Sequence, residues 1–235
     1  MTQKKTLLFV YDFPHAKSVD FIRRCIKENI QVDAIVAASH ENLKKTKRVL
    51  NFHKHNTTSC HPRDEASKFS IPYFNCNHNS LEVKRIINDF KINFGIIAGA
   101  RILNKDIIAE FAFGVLNIHP GLLPFNRGLD SVLWAIHGNK KIGVSAHLIN
   151  DKIDMGRLVL ENKIEEFNSD SIFDIYRQVY KIQLDLLPKA YALIGKKNNF
   201  RILNGGIYYT YMPEKTQIKT LKNLKSYIAN YSKVK

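Results

Sequence analysis

The apolar positions of this chain recur in two periods. Thr6 to Tyr11 is a short apolar run closed by Asp12 and Pro14, and it predicts a buried strand. Val19, Phe21, Ile22 and Ile26 fall at helical spacing and predict a helix over Ala16 to Glu28. Val32 to Ala38 is a second apolar strand. Ser80 to Phe90 opens on a Ser cap and runs through Leu81, Val83, Ile86, Ile87 and Phe90, which predicts a helix. Phe94 to Ala98 and Val115 to Ile118 predict a third and a fourth strand. Strands alternating with helices imply parallel pairing through crossovers, hence an open, mostly parallel, Rossmann-like α/β sheet flanked by helices. Ile142 to Ile149 and Arg157 to Ile164 predict two further strands, placed as an antiparallel edge. Ser169 to Leu193 is a long amphipathic helix.

The pattern changes at Gly205-Gly206. The aromatic run Ile207 to Tyr211 follows, and beyond Pro213 a basic helical tail carries Lys215, Lys219, Lys222, Lys225, Lys233 and Lys235 against Glu214 alone. The expected division is therefore a catalytic domain over residues 1–200 and a C-terminal strand and helix arm over residues 201–235. Tyr208, Tyr209 and Tyr211 are placed either across a dimer interface or in an edge strand of one subunit.

Composition adds one unusual number. The 235 residues hold Lys+Arg 36 against Asp+Glu 21, a formal charge of +15, with 45% hydrophobic and 24% charged residues. That balance excludes a disordered or fibrous chain and points to anionic partners. The apolar run after the first lysines stops at Asp12, too short for a signal peptide, and no stretch approaches a membrane span. Cys25, Cys60 and Cys76 are odd in number and widely spaced, which reads as free thiols in a reducing cytoplasm.

Several chemistries drop out. Tyr11-Asp12-Phe13-Pro14-His15 follows the first strand where a dinucleotide fold carries GxGxxG, and neither a P-loop nor HExxH occurs. One segment carries a different chemistry. The strand Val115-Leu116-Asn117-Ile118-His119 places Asn117 and His119 on one face, two residues apart, at the carboxyl end where open α/β sheets bind ligands. An Asn amide can stabilise an oxyanion, a neutral His can take a proton, and a carboxylate from the following polar loop, residues 150–156, can orient that His. Together they describe acyl transfer without a covalent nucleophile. Each residue taken singly also fits a turn former.

Asn117-Ile118-His119-Pro120-Gly121-Leu122-Leu123-Pro124, then Gly128, then Gly143-Val144-Ser145-Ala146-His147, then Asp151-Lys152-Ile153-Asp154-Met155-Gly156 closely resembles the folate-dependent formyltransferases. The resemblance is strongest from Phe94 to Leu160. It implies the formyltransferase fold, transfer of a formyl group from 10-formyltetrahydrofolate to a primary amine, and no metal. Asn117, His119 and Asp154 match the family's catalytic residues. Arg101, Ile102 and Leu103 match one wall of the folate pocket, and Ile149, Asp151 and Asp154 the other.

The acceptor divides the family. Glycinamide ribonucleotide formyltransferases resemble one another in a Gly-Ser-Asn loop after the first strand, which this chain lacks. Methionyl-tRNA formyltransferases share the Arg127-Gly128 pair, and the charge suits tRNA, but they carry a barrel domain larger than the forty or so residues after Leu193. Leu123-Pro124-Phe125-Asn126-Arg127-Gly128, followed by Trp134, resembles the sugar N-formyltransferases most, although Leu129-Asp130-Ser131 departs from their usual Ala-Asp-Pro. The expected acceptor is a nucleotide-linked amino sugar, dTDP-4-amino-4,6-dideoxyhexose, destined for surface polysaccharide. Asn126 and Arg127 are its candidate contacts, with a loop clamped to its own backbone the competing reading, and a homodimer is the expected assembly. Two non-enzymatic alternatives remain: a basic nucleic-acid-binding protein, and a zinc module built from His53, His55, Cys60, His61, Cys76 and His78, whose spacing matches no standard finger.

Overall fold

The computed structural model describes residues 3–39, 49–50, 60–100, 102–167, 170–196 and 199–231. Its centre is an eight-stranded sheet with the order β3-β2-β1-β4-β5-β7-β8-β9. Strands β1 (Thr6–Tyr11), β2 (Ala34–Ala38), β3 (Tyr73–Asn75), β4 (Phe94–Ile97) and β5 (Val115–His119) are parallel. Strands β7 (Gly143–Leu148), β8 (Gly156–Lys163) and β9 (Arg201–Leu203) continue the sheet antiparallel. Successive side chains of a strand feed opposite faces. Leu8 and Val10 pack with α1 (Ala16–Lys27), α5 (Ser131–His137) and the 22-residue α6 (Ile172–Leu193). Leu7 and Phe9 pack with α3 (Leu81–Asp89) and α4 (Lys105–Ile108). Covering on both faces is why β1 and β2 read as unbroken apolar runs.

The expected elements are present within a few residues of their bounds. Helix α2 (Pro62–Lys68), β3 and α4 lie between them, too short to show a hydrophobic period. A second, two-stranded sheet joins β6 (Arg127–Gly128) to β10 (Tyr208–Tyr209), Tyr208 opposite Arg127 and Tyr209 opposite Gly128. The aromatic run thus pairs within one chain. Gly128 sits at φ +90, and a Cβ there would lie 2.0 Å from the Tyr209 carbonyl oxygen, so only glycine permits this pairing. Beyond residue 200, β9 completes the main sheet. Helices α7 (Glu214–Lys222) and α8 (Leu224–Asn230) follow, and Met212, Leu224, Tyr227 and Tyr231 are buried in the same core as α5 and α6.

Among the described residues no helix is long and apolar enough to cross a membrane. His53, His55, Lys233 and Lys235 lie outside those residues. His61 instead caps α2, accepting from Arg63 N at 3.1 Å, and His78 Nε2 donates to the Val10 carbonyl at 2.9 Å. Cys25, Cys60 and Cys76 form no disulfide.

Candidate active site

The chain leaves β1 toward β2 and later returns beside β1 as β4, so the sheet has its switch point between these two strands, the place where open α/β sheets bind ligands. A cavity of about 440 Å³ opens there. Tyr11, His15 and Lys17 line it from β1 and α1, and Ile97, Gly99 and Ala100 from the end of β4. Asn117 and His119 come from β5, Asp154 from the β7–β8 loop, and Tyr208 from β10.

Register assembles the polar centre. Antiparallel pairing of β5 with β7 sets Asn117 opposite His147 and His119 opposite Ser145. Four polar side chains, two from each strand, therefore share one face of an otherwise apolar pair of strands. Ser145 Oγ accepts from Leu123 N at 3.0 Å and pins the loop after β5. His147 Nδ1 donates to the Met155 carbonyl at 2.9 Å, which leaves Nε2 as the acceptor for the Asn117 amide at 3.2 Å. That contact fixes which end of the Asn117 side chain carries the donors.

His119 is held from its other nitrogen. Its Nε2 donates to the Asn126 carbonyl at 2.8 Å, so neutral His119 presents an unprotonated Nδ1, which lies 3.5 Å from Asp154 Oδ1. The loop can approach so closely because residue 121 is glycine. A Cβ there would stand 2.7 Å from the Asn126 carbonyl oxygen and 2.8 Å from His119 Nε2. Asp154 is anchored by Gly128 N, which donates to Oδ2 at 2.7 Å, and its Oδ1 also lies 3.9 Å from His147 Nε2.

Burial dominates the electrostatics. His119 is 4% exposed and His147 0%. Desolvation lowers the pKa of His119 below its ordinary value, against the opposing pull of Asp154, and lowers that of His147 to about 4. His119 is therefore neutral near pH 7, a proton acceptor and not a standing cation. A proton arriving at Nδ1 makes an imidazolium whose new N–H faces a carboxylate, the arrangement of a general base with a charge-stabilising partner.

The structure brings together Asn117, His119 and Asp154. The other expected residues that are described do not line this cavity. Arg101 lies outside the described residues. Ile102 is exposed, Leu103 and Ile149 join the core on the α3 and α4 face, and Asp151 is exposed at the loop tip. Asn126 is buried, with Nδ2 donating to the Ser131 carbonyl at 2.6 Å, and Arg127 Nη1 donates to the Gly205 carbonyl at 3.1 Å. Both side chains clamp the loop to its own chain. Three residues of the site go beyond the sequence reading. His147 lay in a recognised strand, where Ser145 and His147 alternate against apolar neighbours, and that alternation is a legible signal. Lys17 and Tyr208 carry no local signal and reach the cavity only through the fold.

Residues 4–191 match the formyl transferase family. The chain belongs to that family. Among its relatives, a methionyl-tRNA formyltransferase of Flavobacterium psychrophilum is 28% identical over 139 residues, 59% of this chain and 42% of that protein. A phosphoribosylglycinamide formyltransferase of Haemophilus influenzae is 32% identical over 116 residues, 47% of this chain and 55% of the relative. The chain thus spans about half the length of these relatives. In structure it is similar to the formyltransferase PseJ from Anoxybacillus kamchatkensis, solved with UDP-4,6-dideoxy-4-formamido-L-AltNAc and tetrahydrofolate. That similarity has a TM-score of 0.57 and 20% identity, covers 92% of this chain and 90% of the other, and is one of fold.

Proposed function

We propose that this chain transfers a formyl group from 10-formyltetrahydrofolate to the primary amine of a nucleotide-linked amino sugar, as a step in making surface polysaccharide. The observation that carries formyl transfer is the convergence of Asn117, His119 and Asp154 on one cavity at the switch point. The folate supplies the electrophilic formyl carbon. The cavity suits it in having an apolar wall, Ile97, Gly99, Ala100 and Ile153, beside that polar centre.

The roles follow from the geometry. The second N–H of the Asn117 amide, the one not bonded to His147, stabilises the oxygen that becomes negative as the amine adds to the formyl carbon. His119 Nδ1 takes the proton the amine must lose. Asp154 stabilises the resulting imidazolium, which then returns the proton to the departing folate nitrogen. One carbon–nitrogen bond forms, one breaks, and no other co-reactant is consumed. Asn126 and Arg127 act by shaping the wall that carries Gly128 to Asp154.

Two observations support an amino sugar as acceptor. The Leu123 to Gly128 pattern resembles the sugar enzymes. The first turn of α1 is closed by its own residue, His15, whose side chain accepts from Ser18 N, so it is no open phosphate cradle of backbone amides. A dTDP-linked 4-amino-4,6-dideoxyhexose is the specific acceptor we expect. The proposal extends to a cytoplasmic homodimer, which sedimentation would check. Its test is an activity panel with 10-formyltetrahydrofolate and dTDP-amino sugars, glycinamide ribonucleotide or methionyl-tRNA. Formylated sugar is the expected product. Turnover only with a non-sugar acceptor overturns the choice, and the methionyl-tRNA relative makes that arm essential.

A further inference from the structure

Lys17 lines the cavity wall, and the formyl-transfer roles above leave its charge unused. Its ammonium has three donors. One reaches the Ile118 carbonyl at 3.3 Å, an oxygen that Gln183 Nε2 already bonds at 2.8 Å. The ammonium also lies 5.1 Å from the centre of the Phe21 ring. Among the described residues Lys17 forms no ion pair and no further hydrogen bond, and the nearest opposite charge acting on it is that of Asp154. Burial lowers its pKa to about 8, so it stays mostly charged near pH 7. A desolvated ammonium with one long hydrogen bond is costly unless something else pairs with it.

Lys17 lies beside the polar centre of the cavity. Phe21, on which Lys17 lies, is part of the core on the α1 and α6 face of the sheet. The carbonyl that Lys17 reaches, that of Ile118, lies between Asn117 and His119 on β5, and the apolar wall proposed for the folate, Ile97, Gly99, Ala100 and Ile153, lines the same cavity. The charged and titratable groups that face Lys17 or share its cavity include Asp154 from the β7–β8 loop, His119 from β5, His15 from its own turn and Asp130, whose Oδ2 accepts from Met212 N. Asp154 is already bonded to Gly128 N, and burial holds both histidines toward their neutral forms. The site thus contains a cation that its own carboxylates do not neutralise by contact.

We propose that Lys17 binds a phosphate oxygen of the acceptor, supplying as a side-chain cation what the His15-capped turn does not offer as backbone amides. This rests on the reading of the cavity as the acceptor site and narrows the acceptor to a phosphorylated amine. A lysine suits the task as a point charge on a flexible stem, and phosphate oxygens fill its remaining donors.

The experiment titrates the wild-type protein, Lys17→Met and Lys17→Arg with dTDP, inorganic pyrophosphate and p-aminobenzoylglutamate by calorimetry, with thermal melting to verify folding. Methionine keeps the apolar stem over Phe21. The expected result is a 10- to 100-fold loss of dTDP and pyrophosphate affinity in Lys17→Met, near-wild-type affinity in Lys17→Arg, and unchanged p-aminobenzoylglutamate binding. Equal dTDP binding by wild type and Lys17→Met overturns the proposal. So does absence of dTDP and pyrophosphate binding in the wild type, or a loss confined to p-aminobenzoylglutamate, which would assign Lys17 to the folate tail. If dTDP binding depends on Lys17 while no amino sugar is formylated, the acceptor reading falls and the phosphate contact stands. If a dTDP-amino sugar is formylated by Lys17→Met with unchanged KM, the phosphate contact falls alone.

Discussion

Asn117 and His147 face each other across the antiparallel register of β5 and β7, with the Asn117 amide nitrogen 3.2 Å from His147 Nε2. Because His147 Nδ1 is committed to the Met155 carbonyl, the imidazole can only accept at Nε2. The Asn117 amide is thereby locked with its NH₂ end toward the reacting centre. A buried histidine that never needs to titrate thus sets the direction of a donor that does the electrostatic work.

That relationship predicts two different losses. Asn117→Ala removes the oxyanion donor, and formyl transfer should fall by about 10²- to 10³-fold in kcat. His147→Ala leaves the donor in place but unlocked, and kcat should fall by about 10- to 100-fold with little change in the KM for folate. Steady-state kinetics with the acceptor that turns over checks both. A kcat within twofold of wild type in His147→Ala would remove His147 from the site's architecture.

The His119 side of the site depends on residue 121 having no side chain. In Gly121→Ala the new methyl would overlap both the Asn126 carbonyl and His119 Nε2, so the 2.8 Å bond between them must break. His119 then loses the contact that fixes its neutral tautomer with Nδ1 toward Asp154. The expected outcome is a folded protein whose kcat is reduced by at least 10-fold. Activity close to wild type would show that the Asn126 carbonyl does not orient the base.

Acid should destabilise this fold more steeply than its carboxylates alone would. His119 and His147 are buried in neutral form, with folded pKa values below the 6.5 at which they protonate when unfolded. Above pH 6.5 neither state binds these protons and the two histidines contribute no pH dependence. Below it the unfolded chain gains protons that the native site resists, so stability falls as pH drops from 6.5 toward 4. These two groups give a slope approaching about 2.7 kcal/mol per pH unit, and His15, whose pKa burial also lowers to about 4, adds to it in the same direction. Urea unfolding at pH 7, 6 and 5 measures it. His147→Phe should flatten the slope by about one proton whatever it does to absolute stability, and an unchanged slope would contradict a neutral buried His147.

How much of this was legible depends on the distance over which each residue is placed. The strands showed because β1, β2 and β5 are covered on both faces and so have almost no polar interruptions. Asn117 and His119 showed because two polar residues on one face of such a strand have no structural need to be there. Asp154 became a candidate only through the family resemblance, since its place beside His119 is set by a bond from Gly128, 26 positions away. Asn126 and Arg127 were ambiguous between ligand contacts and loop clamps, and their clamp partners, Ser131 and Gly205, cannot be read from sequence. Strands β6 and β10 are two residues each and exist because they pair with one another. No local period could announce them. Lys17 looked like one more charge among 36 basic residues until the fold placed it in the cavity.

The C-terminal segment should report its own docking. Trp134 is the protein's single tryptophan, and its ring stacks on Tyr209 with centroids 4.8 Å apart and planes 19° from parallel. Its Nε1 donates to the Thr210 carbonyl at 3.0 Å, and Met212 N donates to Asp130 just before α5. These contacts seat β10 against β6, and Gly128 of β6 is the residue whose amide holds the Asp154 carboxylate. Loosening β10 should therefore be felt in the fluorescence and at the carboxylate together. In Tyr209→Ala the tryptophan emission should move to longer wavelength as water reaches the ring, with a stability loss of about 1–3 kcal/mol from the lost stacking and burial. Gly128→Ala should act more strongly, because its methyl overlaps the Tyr209 carbonyl and its backbone sits at φ +90. In both variants kcat should fall in proportion to the spectral change, since Asp154 loses its anchor as the strand pair opens. A spectral shift with unchanged kcat would show that Asp154 holds its place without β10, and an unchanged spectrum in Gly128→Ala would show that the strand pair does not hold the ring.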